Sequence, residues 1–362
     1  MVKKLGYPYF NWDTPEVKKE YLKNPYFFRG DTDWIIFDEI HKRRDWKKIL
    51  KGYYDSPDRD ENFIVTGSGR MDQYKKGGDS LQGRYLSYQL WPLVYDEIYQ
   101  NAGTHLKLKA PRDWRLFKPD QSGDLDHELL NLGGFPKPFL DANAAKLRRW
   151  QDQYVERLAR EDVRDFSNVL HTDKIELLAR LLPERMMAPI SMLSLSRDIE
   201  VSPVAIKSWL RLFEILYLGF GLKPYHRKIH RAVKMEAKWY FYQWTFPEDR
   251  GTRFENYIAI QLAAALSSWS ERGFGRWELF YLRDQDKREI DFLICRDLQP
   301  VALVEAKSSF QPFPAALNFY CKKLGVPGFV VYPAQHSQDR VMRTDHGWVL
   351  PSHRLLKGLV WG

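Results

Sequence analysis

Short apolar segments and helical segments alternate at the start of the chain, and this alternation constrains the fold more than any other feature. Strand-like segments lie at Tyr7–Trp12, Trp34–Phe37 and Phe63–Thr66. Helical patterns at Thr14–Asn24 and Trp46–Tyr54 separate these segments. Strands that alternate with helices usually form a parallel sheet with helices on its faces. Residues 1–100 are therefore predicted to form an α/β domain.

The rest of the chain divides into three predicted regions, which is consistent with a length of 362 residues that can bury more than one core. Residues 101–141 are rich in Pro, Gly and Asp and are predicted to connect domains. Residues 142–245 have a helical pattern that ends in a short, basic and aromatic hairpin. Residues 246–362 return to helix and strand patterns. The predicted fold class is multidomain α/β.

Composition limits the location and the partners of the chain. The hydrophobic content of 44% and the charged content of 28% are those of a globular protein. Only Cys295 and Cys321 are present, which excludes a disulfide framework and a cysteine-rich zinc site. The sequence shows no signal peptide and no apolar run of about 18 residues, so we expect a cytoplasmic protein without a membrane span. The net charge of +9 favours a polyanion such as DNA as a partner but does not establish one.

Two acidic residues follow the second apolar segment. In the stretch WIIFDEIHK, Asp38 and Glu39 come directly after a buried strand. The carboxyl ends of parallel strands form the edge at which α/β proteins bind ligands. In a P-loop ATPase the first acid holds Mg²⁺ and the second orients the attacking water. The alternative is an acidic strand end that caps the next helix.

Polar residues also follow the third apolar segment. Thr66 or Ser68 could sense a γ-phosphate or position a water molecule at the same edge. Further along, Arg84 is a candidate for stabilising negative charge on the transferring phosphoryl group. An acidic pair, a Thr-Gly-Ser strand end and a Gly-Arg pair in this order are hard to obtain by chance.

With these motifs, the sequence resembles predicted prokaryotic AAA+ superfamily ATPases that carry a C-terminal domain of unknown function. The matching segments are Tyr9–Asp13, Ile35–Glu39, Thr66–Ser68, Gly83–Arg84 and Gly133–Pro136. The resemblance implies a P-loop NTPase fold that uses ATP and Mg²⁺, with Asp38 as the metal ligand.

The sequence departs from that family at the phosphate-binding loop. No G-x-x-x-x-G-K-[ST] segment occurs in the 362 residues, so nothing in them cradles the β- and γ-phosphates. The resemblance begins at the family's second strand, which places the first strand, the loop and its helix before residue 1. This gap argues against ATP hydrolysis by the chain alone. A truncated or split gene and a degenerate relative both remain open as explanations.

A helix–turn–helix pattern followed by a basic segment lies in the middle region. In residues 188–217, Ser202 is the predicted cap of the second helix, on which Lys207 and Arg211 face outward. Further basic residues in the following segment are Lys223, Arg227, Lys228, Arg231, Lys234 and Lys238. We take Lys207, Arg211, Arg227, Lys228, Arg231 and Lys234 as candidate nucleic-acid contacts of a winged helix. The alternative is a helical packing module with a solvated basic hairpin.

The C-terminal region contains an acidic constellation that resembles the PD-(D/E)xK core of restriction-endonuclease-like folds. Asp291 begins one strand, and Glu305 and Lys307 end the next, where Glu255 from a preceding helix could join them. The resemblance implies that Asp291 and Glu305 bind Mg²⁺ and that Lys307 helps to activate water. The alternative is an ion network in an inherited fold.

These patterns lead to one expected function and two alternatives. We expect an AAA+-like ATPase family protein, associated with nucleic acid, whose ATPase activity is compromised in this chain. A Mg²⁺-dependent nuclease is the first alternative. A non-catalytic module that binds DNA or protein, with the missing loop supplied by a separate chain, is the second.

Overall fold

The structure is a computed structural model in which the chain forms two compact units. It describes residues 2–30, 32–43, 45–56, 61–67, 81, 83–99, 123–163, 172–186, 188–225, 237–286, 288–334 and 339–358. Unit 1 comprises residues 1–87, 161–170 and 215–217, and unit 2 comprises residues 88–160, 171–214 and 218–362. The sequence-based boundaries at residues 100, 141 and 245 stay predictions.

A parallel sheet organises unit 1. Its elements are β1 (Tyr9–Asn11), α1 (Pro15–Lys23), β2 (Trp34–Asp38), α2 (Trp46–Tyr54) and β3 (Asn62–Thr66). Strand β2 lies between β1 and β3 and pairs in parallel with both. Its residues Ile35, Ile36 and Phe37 are buried, as expected for the central strand of a parallel sheet. The prediction of a parallel sheet at the N-terminus is confirmed.

Aromatic side chains fill the core of unit 1 on one face of this sheet. The rings of Phe28 and Tyr53 lie 4.5 Å apart between their centroids, and Phe37 contacts both. The Tyr53 hydroxyl donates a 2.6 Å hydrogen bond to the carbonyl of Pro25, so this buried phenol has a partner. This packing holds α2 against β2 and so fixes the position of the strand's carboxyl end.

Helices make up most of the first half of unit 2. They are α3 (Tyr95–Tyr99), α4 (Gly123–Leu132), α5 (Pro136–Asp141), α6 (Ala144–Arg157), α7 (Thr172–Leu181), α8 (Met192–Ile199) and α9 (Pro203–Ile215). Shorter 3-10 segments lie at Val2–Leu5 and Ile40–Lys42 in unit 1 and at Leu182–Arg185 in unit 2, and a π segment follows α6 at Leu158–Asp162. The helical middle of the chain was predicted from the sequence and is confirmed.

The described part of the expected connection, residues 123–141, differs from that expectation because it forms α4 and α5. Leu129 and Leu130 of α4 are buried, and the indole of Trp244 donates a 3.0 Å hydrogen bond to the Leu129 carbonyl. The Gly-Gly turn after α4 allows a close approach, since a Cβ atom at Gly134 would lie 2.6 Å from the Leu93 carbonyl oxygen. Composition alone suggested a linker because the Pro and Gly residues that begin and end short helices are also frequent in loops.

A hairpin and a six-stranded sheet complete unit 2. The elements are β4 (Gly219–Leu222), β5 (Lys238–Phe241), α10 (Arg250–Glu271), β6 (Trp277–Arg283), β7 (Glu289–Arg296), β8 (Gln299–Ala306), α11 (Ala315–Leu324), β9 (Gly328–Tyr332), β10 (Met342–Arg343), β11 (Gly347–Pro351) and α12 (Ser352–Gly358). Strands β4 and β5 pair in an antiparallel manner. The larger sheet has the order β10-β11-β9-β8-β7-β6 and mixes parallel with antiparallel pairs.

The long helix α10 packs against β5, β6 and β8, while α11 packs against β7, β8 and β9. This arrangement brings residues of the hairpin, of α10 and of the central strands of the sheet close together. No helix within the described ranges is both long and apolar enough to cross a membrane.

Candidate functional site

The predicted acidic pair lies at the carboxyl edge of the sheet in unit 1. Asp38 is the last residue of β2, and it is in register with Asn11 of β1 and Thr66 of β3. Its carboxylate accepts a hydrogen bond from the Thr66 hydroxyl at 2.5 Å and another from the Tyr9 hydroxyl. The structure therefore brings two of the predicted residues, Asp38 and Thr66, into direct contact. It adds Tyr9, whose side chain was not predicted to take part.

Glu39 has different surroundings from its neighbour. Its backbone adopts the left-handed conformation with φ 58°, which costs a residue other than glycine about 1–3 kcal/mol. Its amide donates to the Thr66 carbonyl at 3.0 Å, and its carboxylate lies 3.3 Å from the Lys42 ammonium. Burial raises the pKa of Glu39, and Lys42 partly opposes that effect. Lys42 also pairs with Asp13 at 2.6 Å, so the Glu39 carboxylate shares its cation.

Of the other two residues of the predicted nucleotide site, only Arg84 lies within the described residues, and it does not join Asp38 and Thr66. Ser68 lies outside the described residues. Arg84 pairs with Asp55, with distances of 2.9 Å and 3.3 Å from its guanidinium nitrogens to the carboxylate oxygens. Asp55 follows α2, and a helix that connects parallel strands runs back toward the amino edge of the sheet. The Arg84 side chain is therefore held at the end of α2 remote from Asp38.

The donor atoms at Asp38 suit Mg²⁺, which binds oxygen ligands and usually takes only one or two carboxylates when nucleotide phosphates supply the rest. Among the described residues, no group of three or more His, Cys, Asp and Glu side chains is arranged to hold a metal ion. A metal at Asp38 would thus depend on a nucleotide for most of its ligands. The residues present fit the metal-binding part of a nucleotide site, and they do not include the part that binds phosphate.

A second cluster of charged residues, which we call the acidic cluster, lies within unit 2. It contains the four residues predicted for a nuclease core, Glu255, Asp291, Glu305 and Lys307. Backbone amides link the side chains of Asp291 in β7 and Glu305 in β8. The Asp291 amide donates to Glu305 at 3.3 Å, and the Ala306 amide donates to Asp291 at 2.9 Å. Lys307 lies 2.7 Å from the Glu305 carboxylate. Glu255 reaches this acidic cluster from α10, where it is 3% exposed.

Three further members of the acidic cluster, Lys238, Tyr240 and Glu289, were not predicted from the sequence. Lys238, from β5, is 2% exposed, and its ammonium lies 2.5 Å from Glu289, 3.6 Å from Glu255 and 3.8 Å from Asp291. The Tyr240 hydroxyl donates to Glu255 at 2.7 Å. Sequence reasoning placed Lys238 in the solvated basic segment. The aromatic residues that follow it, in the run KWYFY, were the available sign of a buried strand.

The electrostatics of the acidic cluster follow from burial and crowding. Burial and the nearby Asp291 raise the pKa of Glu255 to about 8, and the same two causes raise the pKa of Glu305 to about 7. Burial also raises the pKa of Asp291, against the opposing effect of Lys238. Burial by itself would lower the pKa of Lys238, but Glu255, Asp291 and Glu289 raise it instead. The lysine is therefore held in its charged form by the acids around it.

The acidic cluster already holds a cation, because the Lys238 ammonium lies among the carboxylates of Glu255, Glu289 and Asp291. Both oxygens of Asp291 face other groups, one the Ala306 amide and the other the Lys238 ammonium. Both oxygens of Glu305 are likewise engaged, by the Asp291 amide and by Lys307. The ammonium of Lys238 occupies the space between Glu255, Glu289 and Asp291.

The predicted nucleic-acid contacts are only partly within the described residues. Lys207 and Arg211 are exposed on α9, four residues apart and thus on one face of the helix. The cap of α9 is confirmed, since the Ser202 hydroxyl accepts from the Ala205 amide at 3.1 Å. Arg227, Lys228, Arg231 and Lys234 lie outside the described residues. The finer assignment to a winged helix stays a prediction.

Comparisons with known proteins divide the chain into three matched segments. An AAA domain model matches residues 1–99, and models of two domains of unknown function, DUF8612 and DUF4143, match residues 124–243 and 250–355. The AAA and DUF4143 matches together support a relationship to AAA-like ATPase families.

One relative is an uncharacterized protein, MJ1544, of Methanocaldococcus jannaschii. It is 24% identical over 277 residues, which cover 73% of this chain and 59% of the relative. The match thus extends over about three fifths of that protein's length. No solved structure matches the chain.

Proposed function

We propose that residues 1–99 contribute the hydrolytic half of an ATP site, and that the phosphate-binding loop is supplied from outside residues 1–362. Asp38 would hold Mg²⁺, and Glu39 would orient the water that attacks the γ-phosphate. The proposal rests on one observation above all. In a segment that matches an AAA domain, an acidic pair and a threonine hydroxyl meet at the carboxyl edge of three parallel strands.

The side chains around the pair support this division of roles. The hydroxyls of Tyr9 and Thr66 fix the orientation of the Asp38 carboxylate, so a metal ligand there would need little rearrangement. The raised pKa of Glu39 makes its carboxylate a better proton acceptor than an exposed one. Lys42 holds that carboxylate near the edge of the sheet.

The phosphate-binding loop has two candidate sources. It could be encoded directly upstream of Met1 in the same gene, or it could belong to a separate chain. The relative MJ1544 extends beyond the region that matches this chain, which is compatible with either source. In both cases residues 1–362 alone would lack the amides and the lysine that hold the phosphates of ATP.

The test is phosphate release from ATP by a form of the protein that includes the loop. If a G-x-x-x-x-G-K-[ST] segment is encoded upstream, the extended chain should hydrolyse ATP with Mg²⁺. Glu39→Gln should lower kcat by at least about 100-fold, since it removes the group that orients the water. Glu16→Gln, on the exposed first turn of α1, is the matched control and should leave the rate unchanged. An extended Glu39→Gln chain as active as its parent would refute the proposal.

DNA contact through α9 is a second candidate function. The helices α8 and α9 are joined by a short turn and followed by the β4–β5 hairpin, the order of elements in a winged helix. The exposed pair Lys207 and Arg211 and the net charge of +9 favour a polyanionic partner.

A further inference from the structure

Lys238 has a position that the nucleotide and DNA proposals leave unexplained. It lies at the start of β5, and only 2% of the residue is exposed to solvent. A lysine this deeply buried is rare unless its ammonium is paired. Here the ammonium faces three carboxylates, those of Glu255, Glu289 and Asp291.

We propose that the Lys238 ammonium is the resident cation of the acidic cluster. It would take the place that a divalent metal ion holds in a metal-dependent nuclease of similar architecture. Under this proposal the C-terminal domain folds without metal and does not cut nucleic acid. The carboxylates would serve instead to anchor the β4–β5 hairpin on α10 and the six-stranded sheet.

The positions of the carboxylates support the proposal that the Lys238 ammonium replaces a metal ion. The three acids that face Lys238 come from two elements, Glu255 from α10 and both Glu289 and Asp291 from β7. A cation between them offsets the negative charge of those acids that are ionised in this site. In metal-dependent enzymes that charge comes from Mg²⁺, whereas here it is covalently attached to β5 and needs no dehydration of a metal ion.

Lys238 is also held in place by its own strand. The backbone of Lys238 pairs with Leu222 of β4, and its ammonium lies 5.6 Å from the centre of the Tyr281 ring. The neighbouring Tyr240, on the same strand, donates to Glu255. Movement of the ammonium out of the cluster would therefore break the ion pairs and the contact with the Tyr281 ring. A metal ion could enter only by displacing a group that the fold already fixes.

The first test is thermal unfolding of the full chain with and without Mn²⁺. Lys238→Met keeps the length of the side chain but removes its charge, so it should lower Tm by more than about 5 °C, as expected when one partner of a buried ion pair is removed. Millimolar Mn²⁺ should restore part of that decrease by occupying the vacated position. The wild type and the exposed control Lys322→Met should show no change in Tm with Mn²⁺.

The second test needs only the wild type and so does not depend on the folding of a variant. Titration with Mn²⁺, followed by water-proton relaxation, should show no binding tighter than about 1 mM, since the Lys238 ammonium already lies among the carboxylates of Glu255, Glu289 and Asp291. Wild-type binding below about 100 µM that disappears in Asp291→Asn would overturn the proposal. A Lys238→Met protein as stable as the wild type, or one that Mn²⁺ does not stabilise, would also overturn it.

Discussion

Asp38 and Glu39 are adjacent in the sequence, but their side chains have different surroundings in the structure. Asp38 accepts hydrogen bonds from two hydroxyl groups and faces the strand ends. Glu39 is half-buried, has a left-handed backbone and shares Lys42 with Asp13. A metal ligand needs a fixed and accessible carboxylate, while a group that orients water gains from a raised pKa. Two hydroxyl groups fix the Asp38 carboxylate, whereas the raised pKa belongs to Glu39.

Lys238 illustrates what a sequence cannot reveal about a single residue. A lysine in a basic segment is normally solvated, and this segment contains a single acid, Glu236. The acids that surround it come from α10 and β7, up to 53 residues away in the sequence. Only the tertiary structure shows that Lys238 and Asp291 meet.

The two cysteines provide a prediction at the same scale. Burial raises the pKa of Cys295 to about 12 and that of Cys321 to about 11. At pH 8 the reactive thiolate would thus be about one part in 10⁴ and one part in 10³ of each residue. Native protein treated with iodoacetamide at pH 8 should show no adduct by intact mass, and the fraction of thiolate should rise tenfold with each further pH unit.

The control for this experiment is the same protein in urea, in which both thiols should react. Rapid addition of one alkyl group to the native protein would show that one of the two thiols is more accessible than the structure indicates.

Among the elements, strands β1 to β3 were the most predictable from sequence. The apolar residues of the central strand β2 are buried, those of the outer strands β1 and β3 are half-buried, and Asp38 and Thr66 lie at the strand ends. The contact between Asp38 and Thr66 follows from the parallel register of β2 and β3. The pairing of Arg84 with Asp55 could not be predicted, because it depends on where the chain passes after β3.

Helix α9 carries the prediction that belongs to the DNA-binding candidate. Double substitution with Lys207→Glu and Arg211→Glu should weaken binding of a labelled DNA duplex by about tenfold or more. It should also reduce the slope of log K against log salt by about 2, one unit for each phosphate that the protein no longer neutralises. Fluorescence anisotropy at several salt concentrations measures both quantities.

The matched control reverses two charges elsewhere in unit 2. Lys146→Glu with Arg149→Glu alters two exposed residues of α6 and changes the net charge by the same amount. If both double variants bind DNA equally well, α9 makes no specific contribution, and a general effect of charge would explain any binding.

At the scale of the whole molecule, the order of architectures was predictable from the sequence, while the winged-helix and restriction-endonuclease-like folds stay predictions. A parallel sheet, a helical middle and a mixed sheet follow one another as expected. These classes follow from local periodicity, which depends on residues close in sequence. Residues 123–141 form helices that pack in unit 2 because Leu129 and Leu130 are buried there, a consequence of tertiary packing that their Pro and Gly content concealed.

The central claim is that Asp38 and Glu39 belong to a nucleotide site whose phosphate-binding loop is supplied from elsewhere. Calorimetric titration with Mg-ATP tests this claim most directly. Residues 1–362 alone should show no saturable binding up to about 1 mM, while the loop-bearing form should bind at micromolar concentrations and lose Mg²⁺-dependent affinity with Asp38→Asn. Micromolar binding of Mg-ATP by residues 1–362 alone, or loop-bearing protein that is indifferent to Asp38→Asn, would contradict it.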